Sequence, residues 1–124
     1  MNTPSNLKYS KSHEWLLFTG EGTARIGITD FAQSQLGDIV FVNLPAEGDE
    51  AAIGESFADI ESVKAVSDVY SPVSGQIVAV NDALDDAPEL LNSAPYEAWI
   101  AEISGITDSE DLLDADAYAA FCEA

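Results

Sequence analysis

Gly37-Asp38-Ile39-Val40-Phe41-Val42-Asn43 is answered later in the chain by Gly75-Gln76-Ile77-Val78-Ala79-Val80-Asn81, and Phe57-Ala58-Asp59-Ile60 by Ile100-Ala101-Glu102-Ile103. Each unit is a short β-rich run bounded by glycine or turn residues, which reads as a strand. Two copies are too few for a solenoid, which needs about three or more repeats. They suit two similar β-halves packed face to face around one core. A chain of 124 residues that is 47% hydrophobic can bury such a core as one domain without disulfides or metal.

The rest of the chain fits around these units. Glu14-Trp15-Leu16-Leu17-Phe18, the turn Gly20-Glu21-Gly22 and Thr23-Ala24-Arg25-Ile26-Gly27-Ile28 read as a hairpin. Asp30 with Gln33 three residues on resembles a capping box for a short helix ending at Gly37. Pro45–Asp49 and Ser71–Gly75 are turn material, and residues 82–95 an acidic loop with one helical turn at Leu90-Leu91. Ala98–Ile103 reads as a strand. The chain then turns helical over about 108–122, with Asp108 or Ser109 capping a helix through Leu113 and Asp114 capping another. In that last helix Tyr118, Phe121 and Cys122 share a face, which makes Cys122 a small core residue. Trp15 and Trp99 are expected core anchors.

Charge narrows the function. The chain carries 23 acids against 4 bases, a net charge of −19. That field disfavours nucleic acid and anionic membranes and favours cationic protein partners. Three of the four bases, Lys8, Lys11 and Arg25, come before Ile26, so Lys64 is the single cation in everything that follows. It sits midway between two strand patterns of similar length within residues 56–71, in Glu61-Ser62-Val63-Lys64-Ala65-Val66-Ser67-Asp68. An amine on a flexible stem at a hairpin tip is a handle for covalent modification by another enzyme. A lone surface lysine would have the same composition. One cysteine excludes an intramolecular disulfide. No zinc spacing, phosphate loop, calcium loop or catalytic triad stands out, and a lone histidine, His13, is an unpromising base. The N-terminus shows no targeting signal and no run is long enough to span a bilayer, so a cytoplasmic protein, or a mature form already processed, is expected.

These motifs together resemble the glycine cleavage system H protein family over nearly the whole chain. The likeness rests on Ser12-His13-Glu14-Trp15, Ile26-Gly27-Ile28-Thr29-Asp30, Leu36-Gly37-Asp38, Glu61-Ser62-Val63-Lys64-Ala65, Ser71-Pro72-Val73-Ser74-Gly75, Pro88-Glu89-Leu90-Leu91-Asn92 and the ending Tyr118–Cys122. The Lys64 segment is shared more loosely with lipoyl domains of 2-oxoacid dehydrogenases; the Ser-His-Glu-Trp motif and the ending favour the H protein. One departure is Pro95-Tyr96-Glu97-Ala98-Trp99, a residue shorter than the family's usual form and without its glycine.

The resemblance implies a flattened two-sheet antiparallel β-sandwich of the barrel-sandwich, lipoyl/biotinyl-like kind, with a short internal helix and C-terminal helices, as one lipoyl-carrier domain over residues 1–124. It implies lipoate in amide linkage to Lys64, with Glu61, Val63 and Ala65 as the flanks a lipoate ligase or lipoyl transferase recognises. It places Glu14 and Asp68, with Ser12, beside the cleft where the loaded arm rests, their carboxylates holding an ammonium. Implied partners are glycine decarboxylase with pyridoxal phosphate, aminomethyltransferase with tetrahydrofolate, and dihydrolipoyl dehydrogenase with FAD and NAD. The chain itself would be a monomeric, non-catalytic carrier without metal. A lipoyl domain of a 2-oxoacid dehydrogenase and an H-like carrier that relays lipoyl groups are the other readings.

Overall fold

The computed structural model describes residues 3–123. Among these residues, nine strands and four helices follow in the order β1 (Lys8–Tyr9), β2 (Glu14–Gly20), β3 (Thr23–Ile28), α1 (Asp30–Leu36), β4 (Ile39–Asn43), β5 (Glu50–Ala51), β6 (Ser56–Ser62), β7 (Val66–Tyr70), β8 (Val73–Val80), α2 (Ala83–Asp86), α3 (Leu90–Ser93), β9 (Ala101–Ser109) and α4 (Ala115–Glu123). All pairings are antiparallel. A six-stranded sheet runs β1-β2-β3-β9-β8-β5, and a three-stranded sheet β4-β6-β7.

The sequence echo has a structural meaning. Its first members, β4 and β6, pair in the small sheet, and its second members, β8 and β9, pair in the large one. The registers differ, however. Val42 faces Ile60, whereas its counterpart Val80 faces Ala101 and not Ile103, because β8 and β9 carry bulges. The shared pattern therefore fixes which strands pair, and the bulges fix how.

Alternation along the strands sends Leu16, Ile26, Ile39, Val42, Ile60, Val69, Ile77 and Ile103 into one core drawn from both sheets. Leu84 of α2 and Leu91 of α3 join it, so the acidic stretch 82–95 has two short helices where one turn was expected, each buried by a single leucine. Strand β2 is covered on both faces. Leu16 enters the main core, while Trp15 enters a second cluster with Leu7, Tyr9, Ala115 and Tyr118. Tyr9 and Tyr118 stack with ring centroids 4.6 Å apart.

Four local expectations are corrected. Residues 108–113 do not form a helix. Ser109 pairs with Val73, the Glu110 amide donates to the Pro72 carbonyl, and Leu113 bridges to Tyr9. These long-range partners override the local caps, and the C-terminal helix is α4 alone. The cap of α1 is Thr29, whose hydroxyl accepts from the Ala32 amide, while Asp30 is already helical and accepts from the Gln33 side chain. Strand β8 begins at Val73, inside the expected turn. Trp99 is only half-buried and carries the Arg25 guanidinium 4.7 Å from its ring centroid, with Arg25 also paired to Glu102.

Candidate functional site

The β6–β7 hairpin turns without the Asn-Gly or Asp-Gly of tight hairpins, and no residue in it has a positive φ. Ser62 supplies the turn instead. Its amide donates to the Ala65 carbonyl at 2.8 Å, and its Oγ accepts from the Ala65 and Lys64 amides. The Val63 amide donates to the Asp38 carbonyl, bracing the tip from outside. Lys64 is thus held at an exposed turn by backbone bonds that do not involve its side chain, flanked by exposed Val63 and Ala65, with half-buried Glu61 paired to Val66.

The Lys64 stem leans toward the end of α1. A β-carbon at Gly37 would lie 3.6 Å from Lys64 Cε, and Gly37 has φ +78°, which caps the helix without strain. Asn92 fixes this corner. Its amide nitrogen donates to the Gly37 carbonyl and to Gln33 Oε1, and its oxygen accepts from the Ile39 amide.

One turn back along α1 lies a cavity of about 150 Å³. Ile28, Phe31, Leu36, Ile60 and Val69 make apolar walls, and Ser12, His13, Glu14, Ser67 and Asp68 add polar ones. The structure therefore brings Ser12, Glu14 and Asp68 to one cavity. The two acids differ in kind. Asp68 is exposed and accepts from Ser56 Oγ across the strand pair. Glu14 is 2% exposed, so it is no surface acid. Glu14 Oε1 accepts from Ser10 Oγ at 2.6 Å and from Ser12 Oγ, while Oε2 accepts from the Tyr70 amide at 3.4 Å. Burial pushes its carboxyl up to about 7, against the pull of those donors. Ser10 and Tyr70 were not legible as part of the site, because the first is one serine among several and the second acts through its backbone.

His13 closes the rim with φ +73°, the one positive φ outside glycine among the described residues. Its Nδ1 shares a 2.7 Å hydrogen bond with the Tyr118 hydroxyl, which also bonds the Thr29 hydroxyl at 2.7 Å, and its ring stacks on Phe31. Burial lowers its pKa, which favours the neutral ring.

A braced lysine beside a small, half-apolar cleft is the arrangement of a tethered-arm carrier, and comparison with known proteins bears this out. The family model described as glycine cleavage H-protein matches residues 7–124. This chain belongs to the glycine cleavage H-protein family. Glycine cleavage system H proteins from Lachnoclostridium phytofermentans and a Marinomonas species are 56% and 57% identical to it, covering 98% and 94% of this chain and 95% and 94% of theirs. The crystal structure of a glycine cleavage system H protein from Mycobacterium marinum superposes with TM-score 0.88 at 41% identity, over 94% of this chain and 96% of that one. As an H protein it is the lipoyl carrier of the glycine cleavage system and not a catalyst in its own right. The barrel-sandwich fold implied by the sequence is the H-protein fold, and the 2-oxoacid dehydrogenase reading falls away.

Proposed function

We propose that this H protein bears lipoate on Lys64 and rests the loaded arm in the cleft of Ser12, Glu14 and Asp68. The observation that carries this is the adjacency of the two features: Lys64 leans on Gly37, and Leu36, its neighbour, lines the cavity. The lysine fits the group. It is exposed, and among the described residues its ammonium is in no ion pair. Bound in amide linkage, lipoate supplies a dithiolane that can take up an aminomethyl group and two electrons. The chain's own residues do the rest. Ser62 and Asp38 hold the tip rigid for a lipoate ligase or lipoyl transferase, which reads Glu61, Val63 and Ala65. The apolar walls exclude water from the cargo, and Glu14 and Asp68 offer carboxylates to its ammonium. The stations served are glycine decarboxylase, aminomethyltransferase and dihydrolipoyl dehydrogenase, met by a monomer in the cytoplasm. Tethering raises the effective concentration of the cargo at each one.

The test is Glu14→Gln with Asp68→Asn, which removes both charges at nearly constant shape. Charge-assisted hydrogen bonds contribute about 1.5–3 kcal/mol. Release of ammonia and formaldehyde from the loaded carrier, with no transferase present, is expected to rise about tenfold or more. Lipoylation, which precedes loading, is expected to be unchanged. Equal release from wild type and mutant would sink the cleft reading.

Salt gives a second expectation. If the −19 charge steers docking onto cationic surfaces, the decarboxylase KM for the lipoylated carrier should rise as ionic strength passes the point where the Debye length falls below about 8 Å. A KM that is flat from low to high salt would assign the acid excess to solubility alone.

A further inference from the structure

The hydroxyl of fully buried Tyr118 joins segments that are far apart in sequence. It lies 2.7 Å from His13 Nδ1, at the turn into β2, and 2.7 Å from the Thr29 hydroxyl, at the start of α1. Its ring stacks on Tyr9. Of the nine residues of α4 only Ala115 and Tyr118 are buried, so this side chain is the one large anchor of the helix. Each partner of the hydroxyl has a second task. Thr29 caps α1, its oxygen accepting from the Ala32 amide at 3.2 Å. His13, at φ +73°, holds a left-handed conformation that residues other than glycine rarely adopt. Strain of this kind persists only where the surroundings over-determine it. Here Phe31 stacks on the imidazole at 4.6 Å, Phe121 lies 5.9 Å away, and Tyr118 holds Nδ1.

The hydroxyl protons decide the state of the imidazole. Thr29 and Tyr118 have one each. Thr29 is fully buried, and among the described residues the Tyr118 oxygen is the one acceptor its hydroxyl meets. Thr29 therefore donates to Tyr118, and the Tyr118 proton needs an acceptor of its own. His13 Nδ1 supplies one, provided that it carries no hydrogen. The Cys122 sulfur, also beside this hydroxyl, is only a weak acceptor. The chain of donors thus runs from Thr29 to Tyr118 to His13, which puts the imidazole hydrogen on Nε2. A hydrogen on Nδ1 would leave one buried hydroxyl proton with the sulfur or with nothing.

We propose that Tyr118 is a positioning residue for the arm: its hydroxyl fixes His13 as the Nε2–H tautomer in the strained conformation and ties the first turn of α1 to α4, and so keeps the rim of the cleft closed. Rim and wall share this one support. His13 lines the cavity together with Phe31, Ala32, Gln35 and Leu36 of α1, and the far end of α1 is the Gly37 corner on which Lys64 leans. Without the hydroxyl, α4 keeps its stack on Tyr9 but loses its hold on both, and His13 is free to relax and open the rim. This inference rests on the reading of the cavity as the resting place of the arm. It goes further by giving control of that place to a side chain of the C-terminal helix.

Nitrogen-15 NMR of the imidazole in the unlipoylated wild type tests the chain of donors, at a pH where the ring is neutral. Nδ1 should be bare and hydrogen-bonded, with the hydrogen on Nε2. A hydrogen on Nδ1, or rapid exchange between the two tautomers, overturns the proposal. Tyr118→Phe tests the positioning, since it keeps the ring and its stack. In that mutant both tautomers should be populated. Hydrogen exchange at the Thr29, Ala32 and Gln33 amides should quicken by about fivefold or more, as for the loss of a hydrogen bond, while the amides between β8 and β9 keep their wild-type rates. Equal quickening throughout the core would mean general destabilisation and overturns the proposal. Release of cargo from the loaded mutant, with no transferase present, should quicken by a similar factor. The protein with Glu14→Gln and Asp68→Asn is the comparison. If it releases cargo faster and Tyr118→Phe does not, positioning by Tyr118 is overturned and the cleft reading stands. If neither releases cargo faster than wild type, both are overturned.

Discussion

Lys64→Arg is expected to yield a carrier that folds normally and carries nothing. Arginine keeps the positive charge and most of the stem, but its guanidinium is not an acylable primary amine. The turn does not depend on the Lys64 side chain, because Ser62 and the Asp38 carbonyl hold it through backbone groups. Stability should therefore change by no more than the ~0.5 kcal/mol usual for a surface substitution. Incubated with lipoate ligase, ATP and lipoate, wild type should gain one lipoyl group, found on the Lys64 peptide by mass spectrometry. The mutant should gain none, and reconstituted glycine decarboxylation should be abolished. Lys8, near the N-terminus in the two-residue strand β1, and Lys11, in the turn that follows, have no comparable braced tip. A lipoyl group on either of them in the mutant would count heavily against Lys64.

The second large effect concerns Trp15. Its indole is 2% exposed, lies in the second cluster, and donates from Nε1 to the Pro95 carbonyl at 2.9 Å. Trp15→Ala should cost about 3–5 kcal/mol, a large share of the about 5–15 kcal/mol that stabilises a typical domain. Directly across the strand pair is Gly27, where an added β-carbon would come within 2.6 Å of the indole. Gly27→Ala should therefore cost about 1–3 kcal/mol by overpacking. The two should not add. With the indole gone the new methyl has space, so Gly27→Ala in the Trp15→Ala background should be nearly neutral or stabilising. Denaturant unfolding of the four proteins gives the cycle, and additive losses would mean that Gly27 is required for some reason other than the indole.

The sequence revealed the fold wherever signals were local. The paired echoes located β4, β6, β8 and β9, and the isolation of Lys64 in an acidic chain pointed to its segment through composition alone. What the sequence hid depended on distant partners. Asp108, Ser109 and the leucines after them imitate a capped helix, yet Val73, Pro72 and Tyr9 claim those residues. The loop Pro95–Trp99, shorter than expected for the family, still supplies the Pro95 carbonyl that Trp15 uses and buries Ala98. Glu14 was named through the resemblance alone, and its burial had no local signal: it follows from Tyr70 and from cavity walls such as Ile60 and Val69, which are far along the chain.

The bond from Tyr118 to His13 and Thr29 has a consequence for the order of events in biosynthesis. The lysine hairpin is complete once the middle of the chain has left the ribosome, since β4, β6 and β7 pair with one another alone. The rim of the cleft is not, because its histidine is anchored by a residue of α4, the last element among the described residues. Chains fold from the N-terminal side as they emerge. On the function proposed above, a nascent chain thus exposes Lys64 early, and completes the rim of the cleft only after α4 has emerged.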